Sequence, residues 1–491
     1  MGSWFSRVKP KAPATVATDT VIPLNANDDN VFNRAIAMAF MMRFDDVLDP
    51  ERLHSSLTKL LDREGWRKLG ARLRLNSHNK LEYHVPEQYD LKRPSVAYSH
   101  KKYNCSIEEH PLASRLPKAT SRPAVAGTPP EEFQELMRRP DGPRSLQDYI
   151  YRDEPQLSLH IVSFDDATLV SLTWLHTFFD GMGRHELLTA WIAILEGRDI
   201  DVKPFHGFDI DPLAELGKNP TEPFVMADER LSTWGLIRFG LGYIWEIIRY
   251  PGIEGRIACI PAADIKALKS QANQELRAES TGSDKLFASE GDVLTAYIGR
   301  LWSQHLPKGS DRTVALGNVI NLRPALAQDH LPADTAFISN ATSIVMARVT
   351  AKDLQTKPLS YTAAAVRRSI QEQGTRAQLE ARKALEKEHS IAFFGDKDMH
   401  LILLSNWSKA RFFETDFSAA VLKAGETSKA QPHKLGRPSL ILNASHVSGF
   451  PLRLAGLVAG RDLDGNVWWG GALRAGLWDK IAETLAEEAT L

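Results

Sequence analysis

Cysteine is scarce in this chain: of 491 residues only Cys105 and Cys259 carry a thiol. Two cysteines exclude a disulfide framework, and neither has a partner at metal-knuckle spacing. Neither sign of charge is in excess. The 60 basic and 61 acidic residues leave a formal net charge of −1, which excludes the broad electrostatic footprint of a nucleic-acid binder. Long apolar runs are missing too. The nearest to one, residues 234–250 (WGLIRFGLGYIWEIIRY), is too short and too interrupted by Arg238, Glu246 and Arg249 to span a bilayer. Its apolar face is expected to pack on the protein itself, with a membrane interface as the less favoured reading. Residues 1–30 lack the apolar core of a secretory signal, so a reducing, cytoplasmic setting is expected. Met1-Gly2-Ser3-Trp4-Phe5-Ser6 fits a myristoylation pattern, and an unstructured tail explains it equally well. There is no solenoid repeat, no heptad run, no Gly-x-Ser-x-Gly elbow for a covalent nucleophile and no glycine-rich phosphate loop.

What is present is an ordinary globular composition, 43% hydrophobic and 25% charged, with length for two or three core-forming units. The most informative stretch is His176-Thr177-Phe178-Phe179-Asp180-Gly181, a His-x-x-x-Asp-Gly box. The residues before it, 168–175 (TLVSLTWL), are β-branched and aromatic and predict a strand. Those after it, 182–196, place Leu187, Leu188, Trp191, Ile194 and Leu195 at helical spacing, with Gly197 as the stop. A histidine at that junction lies at the positive end of a helix dipole, which favours the neutral ring a general base requires. A structural histidine at a strand end satisfies the same pattern, so the box alone leaves both readings open.

Residues 157–163 alternate and are expected to pair with 168–175 as a hairpin. Asp49-Pro50 opens a helix through Leu61, and residues 112–147 read as Pro/Gly-rich loop. After an aperiodic, proline-bearing stretch at 201–230, a second half begins. A capping-box-like Ser289-Glu290-Gly291-Asp292 starts a helix over 293–306. Strands are expected at 313–320, 343–349, 400–404 and 439–444, and a tight turn at Asp464-Gly465-Asn466 leads into Val467-Trp468-Trp469. The charged helix 376–388 is expected to present a solvated face, and 478–489 forms a last helix. The expectation is a mixed α/β protein: a tail (1–20), an N-terminal half carrying the box (21–210), a crossover with the amphipathic segment (211–255) and a C-terminal half (256–491). A tunnel is expected at the interface of the halves.

With these pieces in order, the chain resembles the BAHD acyltransferases, and more particularly their fungal trichothecene O-acetyltransferase-like branch within the chloramphenicol acetyltransferase-like superfamily. Besides the box, the resemblance rests on residues 21–26 (VIPLNA), Asp292-Val293-Leu294-Thr295-Ala296, Asn321-Leu322-Arg323-Pro324, Ser339-Asn340-Ala341, Ser405-Asn406-Trp407 and Asp416-Phe417. It spans nearly the whole chain. Ser418-Ala419-Ala420 departs from the Gly-Trp-Gly of the plant enzymes, and Leu175 stands where condensation domains carry a further histidine, which argues against a peptide synthetase module.

The resemblance implies two chloramphenicol-acetyltransferase-like α/β domains around a tunnel. It implies acyl-CoA, with acetyl-CoA as the commonest donor, as co-substrate, no permanently bound cofactor or metal, and a monomer. The acceptor would be a hydroxyl of a terpenoid, polyketide or alkaloid. His176 would be the base in direct transfer, and Ser405 and the Trp407 indole would be oxyanion donors, Ser405 the better of the two. Asp180 would pair with Arg323, Gly181 would permit the backbone turn that aims His176, and Asp416 would be structural. Lysines and arginines at the tunnel mouth would meet the CoA phosphates, without any one being identifiable. An N-acyltransferase or cyclisation catalyst on the same fold, and a non-catalytic binding protein, remain as alternatives.

Overall fold

In the computed structural model, residues 11–279, 287–389, 391–449 and 451–488 are described, so the Met1–Ser6 pattern and residues 1–10 of the expected tail lie outside them. Two sheets organise the chain. The first runs in the order Leu440–Val447, Ile36–Phe44, Thr168–Leu175, Ser158–Ser163, Ala97–Lys102. Thr168–Leu175 sits at its centre and is buried along its whole length, which explains why apolar residues fall on both its faces without a clean alternation. The expected hairpin is there, with Ser158 opposite Thr173 and Ser163 opposite Thr168. The helices Pro50–Leu61 and Gly181–Leu195 pack against each other, and the Trp191 indole of the second donates to the Leu53 carbonyl at 3.2 Å.

The second sheet runs Thr342–Thr350, Thr313–Asn321, His400–Asn406, Ala455–Arg461, Val467–Arg474, Ile253–Ile260, Ala124–Val125. Its central pairings, Thr313–Asn321 with His400–Asn406 and His400–Asn406 with Ala455–Arg461, are parallel. The two sheets exchange strands. Leu440–Val447 leaves the C-terminal half to pair antiparallel with Ile36–Phe44, and Ala124–Val125 crosses to edge Ile253–Ile260. Both pairings join segments more than a hundred residues apart, and no local pattern encodes them.

The helix starts follow their caps. Asp49 accepts from the Glu51 and Arg52 amides with Pro50 in the first turn, and Ser289 with Asp292 forms a reciprocal capping box. That box starts its helix at Glu290–Ser303, three residues before the expected 293–306, because the acidic partner is itself the third helical residue.

Two expectations are overturned. The charged face of Arg376–Glu388 is solvated only in part, toward its C-terminal end. The guanidinium of Arg382 lies over the rings of Phe224 (5.8 Å) and Phe394 (5.5 Å), Lys383 donates to Asn27 Oδ1 at 2.7 Å, and Glu380 accepts from the Gly217 amide. The crossover stretch at 201–230 lies along this helix, so charges spaced for i,i+4 pairing within the helix also serve contacts beyond it. The amphipathic stretch does form a helix, Thr233–Arg249, but Gly235 is its one buried residue among 17. Its apolar stripe faces outward instead of packing on the protein.

Candidate active site

The two sheets enclose a cavity of about 1680 Å³, lined by Met38, Trp174, Ile441 and Asn443 from the first and by Val319, Leu403, Ser405 and Gly471 from the second. Single-ligand pockets run to roughly 1,000 Å³, so two sizeable molecules can meet here. The His-x-x-x-Asp-Gly box enters this space at the junction of Thr168–Leu175 and Gly181–Leu195, as the sequence indicates.

His176 is anchored by its main chain from two directions. Its amide donates to the Ile36 carbonyl at 2.8 Å, and its carbonyl accepts from Asn340 Nδ2 at 2.9 Å. The ring lines the cavity with Nδ1 buried and unpartnered, which leaves Nε2 as the nitrogen presented to a substrate. Burial pushes the imidazole pKa below its ordinary value, with Arg184 adding to the shift, while its own main-chain carbonyl, Asp180 and Asn340 act against it. The ring is therefore neutral at physiological pH.

The hydrogen bonds of Asp180 run away from His176, to its own helix and to the second half of the chain. Oδ1 caps the following helix by accepting from the Gly183 amide at 2.7 Å, while Oδ2 accepts from Arg323 Nη1 at 3.0 Å and from the Ala341 amide at 2.8 Å. Arg323 in turn donates to the Phe337 and Ser339 carbonyls at 3.0 and 2.8 Å. This pair clamps the box to the 337–341 segment.

Gly181 plays a different part from the one expected. Its φ is not positive, so no unusual turn depends on it. A Cβ there would instead stand 3.1 Å from the Trp407 ring, so the glycine makes room for the indole. At Gly183 a Cβ would lie 1.8 Å from the Ile338 carbonyl oxygen, which no side chain tolerates.

Ser405 and Trp407, at the end of His400–Asn406, also line the cavity. The indole N–H donates to Ser405 Oγ at 3.0 Å, so it is committed to the serine and not free to meet an oxyanion itself. With Oγ accepting from the indole, the serine proton is left to donate. Asp416 lies away from the cavity lining: it accepts from the Ser418 amide at 2.9 Å and from Arg437 at 3.1 Å, holding a surface turn.

Two further groups belong to the site and were not singled out from sequence. The fully buried guanidinium of Arg184 lies 4.0 Å from the Phe40 ring centre and 4.3 Å from those of Trp407 and Phe412, and burial lowers its pKa to about 9. Its place on the box helix, eight residues beyond His176, is a signal only in retrospect. Asp28 accepts from the Asn340 amide and side chain at 2.8 and 2.7 Å, so Asn340 links it to the His176 carbonyl. Desolvation raises the Asp28 pKa to about 7.

For a metal, Glu246, His305 and His400 are the group among the described residues whose ligand atoms approach within 4.8 Å. Burial, with Arg312 and Arg474 nearby, pushes His305 down to about 4 and His400 well below its usual value. The two guanidinium groups act against a dication at these residues.

A family model described as "Transferase family" matches residues 126–426. The chain is 45% identical to "Transcriptional regulator calD" of Penicillium decumbens, covering 99% of each chain. It is 38% identical to "Acetyltransferase sphE" of Aspergillus fumigatus, covering 96% of each. Its fold is similar to that of F. sporotrichioides TRI101 solved with coenzyme A and T-2, at a TM-score of 0.66 and 15% identity over 95% of this chain and 97% of that one.

Proposed function

Since the chain belongs to the Transferase family, the BAHD-type acyl-CoA-dependent O-acyltransferases, we propose that it transfers an acyl group, acetyl in the first instance, from CoA to a hydroxyl of an apolar secondary metabolite, with His176 as the base. The observation that carries this reading is a neutral imidazole with Nε2 open to a cavity large enough for both substrates. Nε2 takes the proton of the acceptor hydroxyl as its oxygen attacks the thioester carbonyl carbon. The new C–O bond forms while the carbonyl π pair moves onto oxygen, and the Ser405 hydroxyl, held by the Trp407 indole, donates to that oxyanion. Collapse of the intermediate breaks the C–S bond, and the imidazolium returns its proton to the departing thiolate. The lining is mostly apolar, with Met38, Trp174, Phe179 and Ile441 among its walls, which suits a terpenoid or polyketide alcohol.

The test is thiol release from acetyl-CoA with a panel of hydroxylated terpenoids and polyketides, wild type against His176→Ala. Acceptor-dependent release that falls by about 10²–10⁴-fold in the variant supports the reading. Release unchanged in the variant removes His176 as the base. Ring closure of an acceptor without CoA consumption moves the assignment to cyclisation.

A further inference from the structure

We propose that the Thr233–Arg249 helix is a membrane-docking element that seats the cavity opening against a phospholipid bilayer. Six large apolar side chains on this helix stand in solvent: Trp234 (79% exposed), Ile237 (45%), Leu241 (61%), Ile244 (52%), Trp245 (67%) and Ile248 (66%). At roughly 100° of rotation per residue they fall within one arc of about 100°. Arg238 and Arg249 follow at one edge of that arc, Arg238 bonded to Asp398 at 2.7 Å. The helix's single acid, Glu246, lies outside the arc and lines the cavity.

The opposite side of the same helix contributes Phe239, Gly242 and Tyr243 to the cavity wall, and Phe239 packs on Phe393 at 5.0 Å between ring centres. Ile253 (39% exposed) and Ile391 (60%) face solvent and also line the cavity, so they mark an opening beside the helix. Apolar residues therefore stand on both sides of this helix, on the exposed ridge and in the cavity wall.

The chemistry of the ridge favours lipid over protein as its occupant. A convex strip of aliphatic residues with two indoles and flanking arginines matches the headgroup–acyl boundary, where indole rings and guanidinium groups keep their polar edges hydrated. Antiparallel pairing of two copies across a two-fold axis would bring the arginine edges of both helices to one seam, where Asp398 already meets Arg238 and the exposed arc offers Arg249 no acid. No helix among the described residues is long and apolar enough to cross a membrane, so the contact is with the interface. An apolar acceptor partitioned into the bilayer would lie next to the cavity opening.

The decisive experiment is flotation of the full chain with vesicles of palmitoyl-oleoyl phosphatidylcholine, with and without phosphatidylserine, comparing wild type with W234Q/W245Q. Both positions are exposed, so the variant keeps the wild-type fold, checked by circular dichroism and Tm. The expected result is wild type floating with the vesicles and a loss of about tenfold or more in bound fraction for the variant. Wild type staying in solution with both compositions overturns the proposal, as does equal flotation of the variant. Light scattering showing a wild-type dimer that the double substitution converts to monomer also overturns it, and identifies the ridge as a self-association surface.

Discussion

At the scale of the residue, the proposed transfer depends on keeping the His176 imidazole neutral and the Ser405 hydroxyl aimed. Burial disfavours a proton on His176, and the guanidinium of Arg184 disfavours it further. A base whose pKa is lowered stays unprotonated to lower pH, so the acid limb of kcat/KM should fall below the ordinary histidine value of about 6.5. Arg184→Met keeps much of the side chain's volume and removes its charge. It should move that limb upward, a shift that a purely structural role would not produce, and a pH–rate profile of both proteins reads it directly. In the proposed mechanism Trp407 acts through Ser405, because its N–H is already spent on Oγ.

At the scale of the element, the site is a strand-to-helix junction held from outside. Asp180 is a helix cap, an ion-pair partner and an acceptor for the 337–341 segment at once, so its carboxylate ties the box to that segment. The first turn of the helix must be bare where His400–Asn406 delivers Trp407. Gly181→Ala would place a methyl carbon 3.1 Å from the indole and push it off Ser405. Misplacement of a positioning group by a fraction of an ångström should lower kcat about tenfold with little change in Tm. Thiol-release kinetics alongside thermal melts check this, and a variant with unchanged kcat would show that the indole relaxes freely.

Across the whole molecule, the cavity exists because two sheets lend each other strands. Leu440–Val447 brings Ile441, Asn443 and Ser445 into the cavity wall from a strand paired with Ile36–Phe44. The same long-range logic places Asp28 beneath Asn340 and the His176 carbonyl, in a site that raises its pKa from the unfolded carboxylate value to about 7. Between those two values the folded state holds a proton that the unfolded chain has released. The contribution of Asp28 to stability therefore falls as pH rises from about 4 to about 7 and is level above that. Wild type should lose Tm relative to Asp28→Asn across this window, and parallel melting curves over the same range would contradict it.

The local elements were legible because their causes are local. Thr168–Leu175 is β-branched and aromatic, Gly181–Leu195 carries Leu187, Leu188, Trp191, Ile194 and Leu195 at helical spacing, and Asp49-Pro50 and Ser289 through Asp292 are caps at the starts of their helices. The identity of the His176 box and its Asp180–Arg323 partnership came from motif order along the chain, since no spacing links positions 180 and 323. Tertiary structure alone decided the rest. Whether the Arg376–Glu388 charges face water depends on where the 201–230 stretch lies, and whether the Thr233–Arg249 stripe is covered depends on what packs beside it. Gly181 serves clearance and not a turn because an indole from 226 residues further along the chain comes to rest against it. Periodicity and caps are properties of a segment by itself, whereas burial, close approach and a shifted pKa are properties of what surrounds it, and the surroundings exist only once the chain has folded.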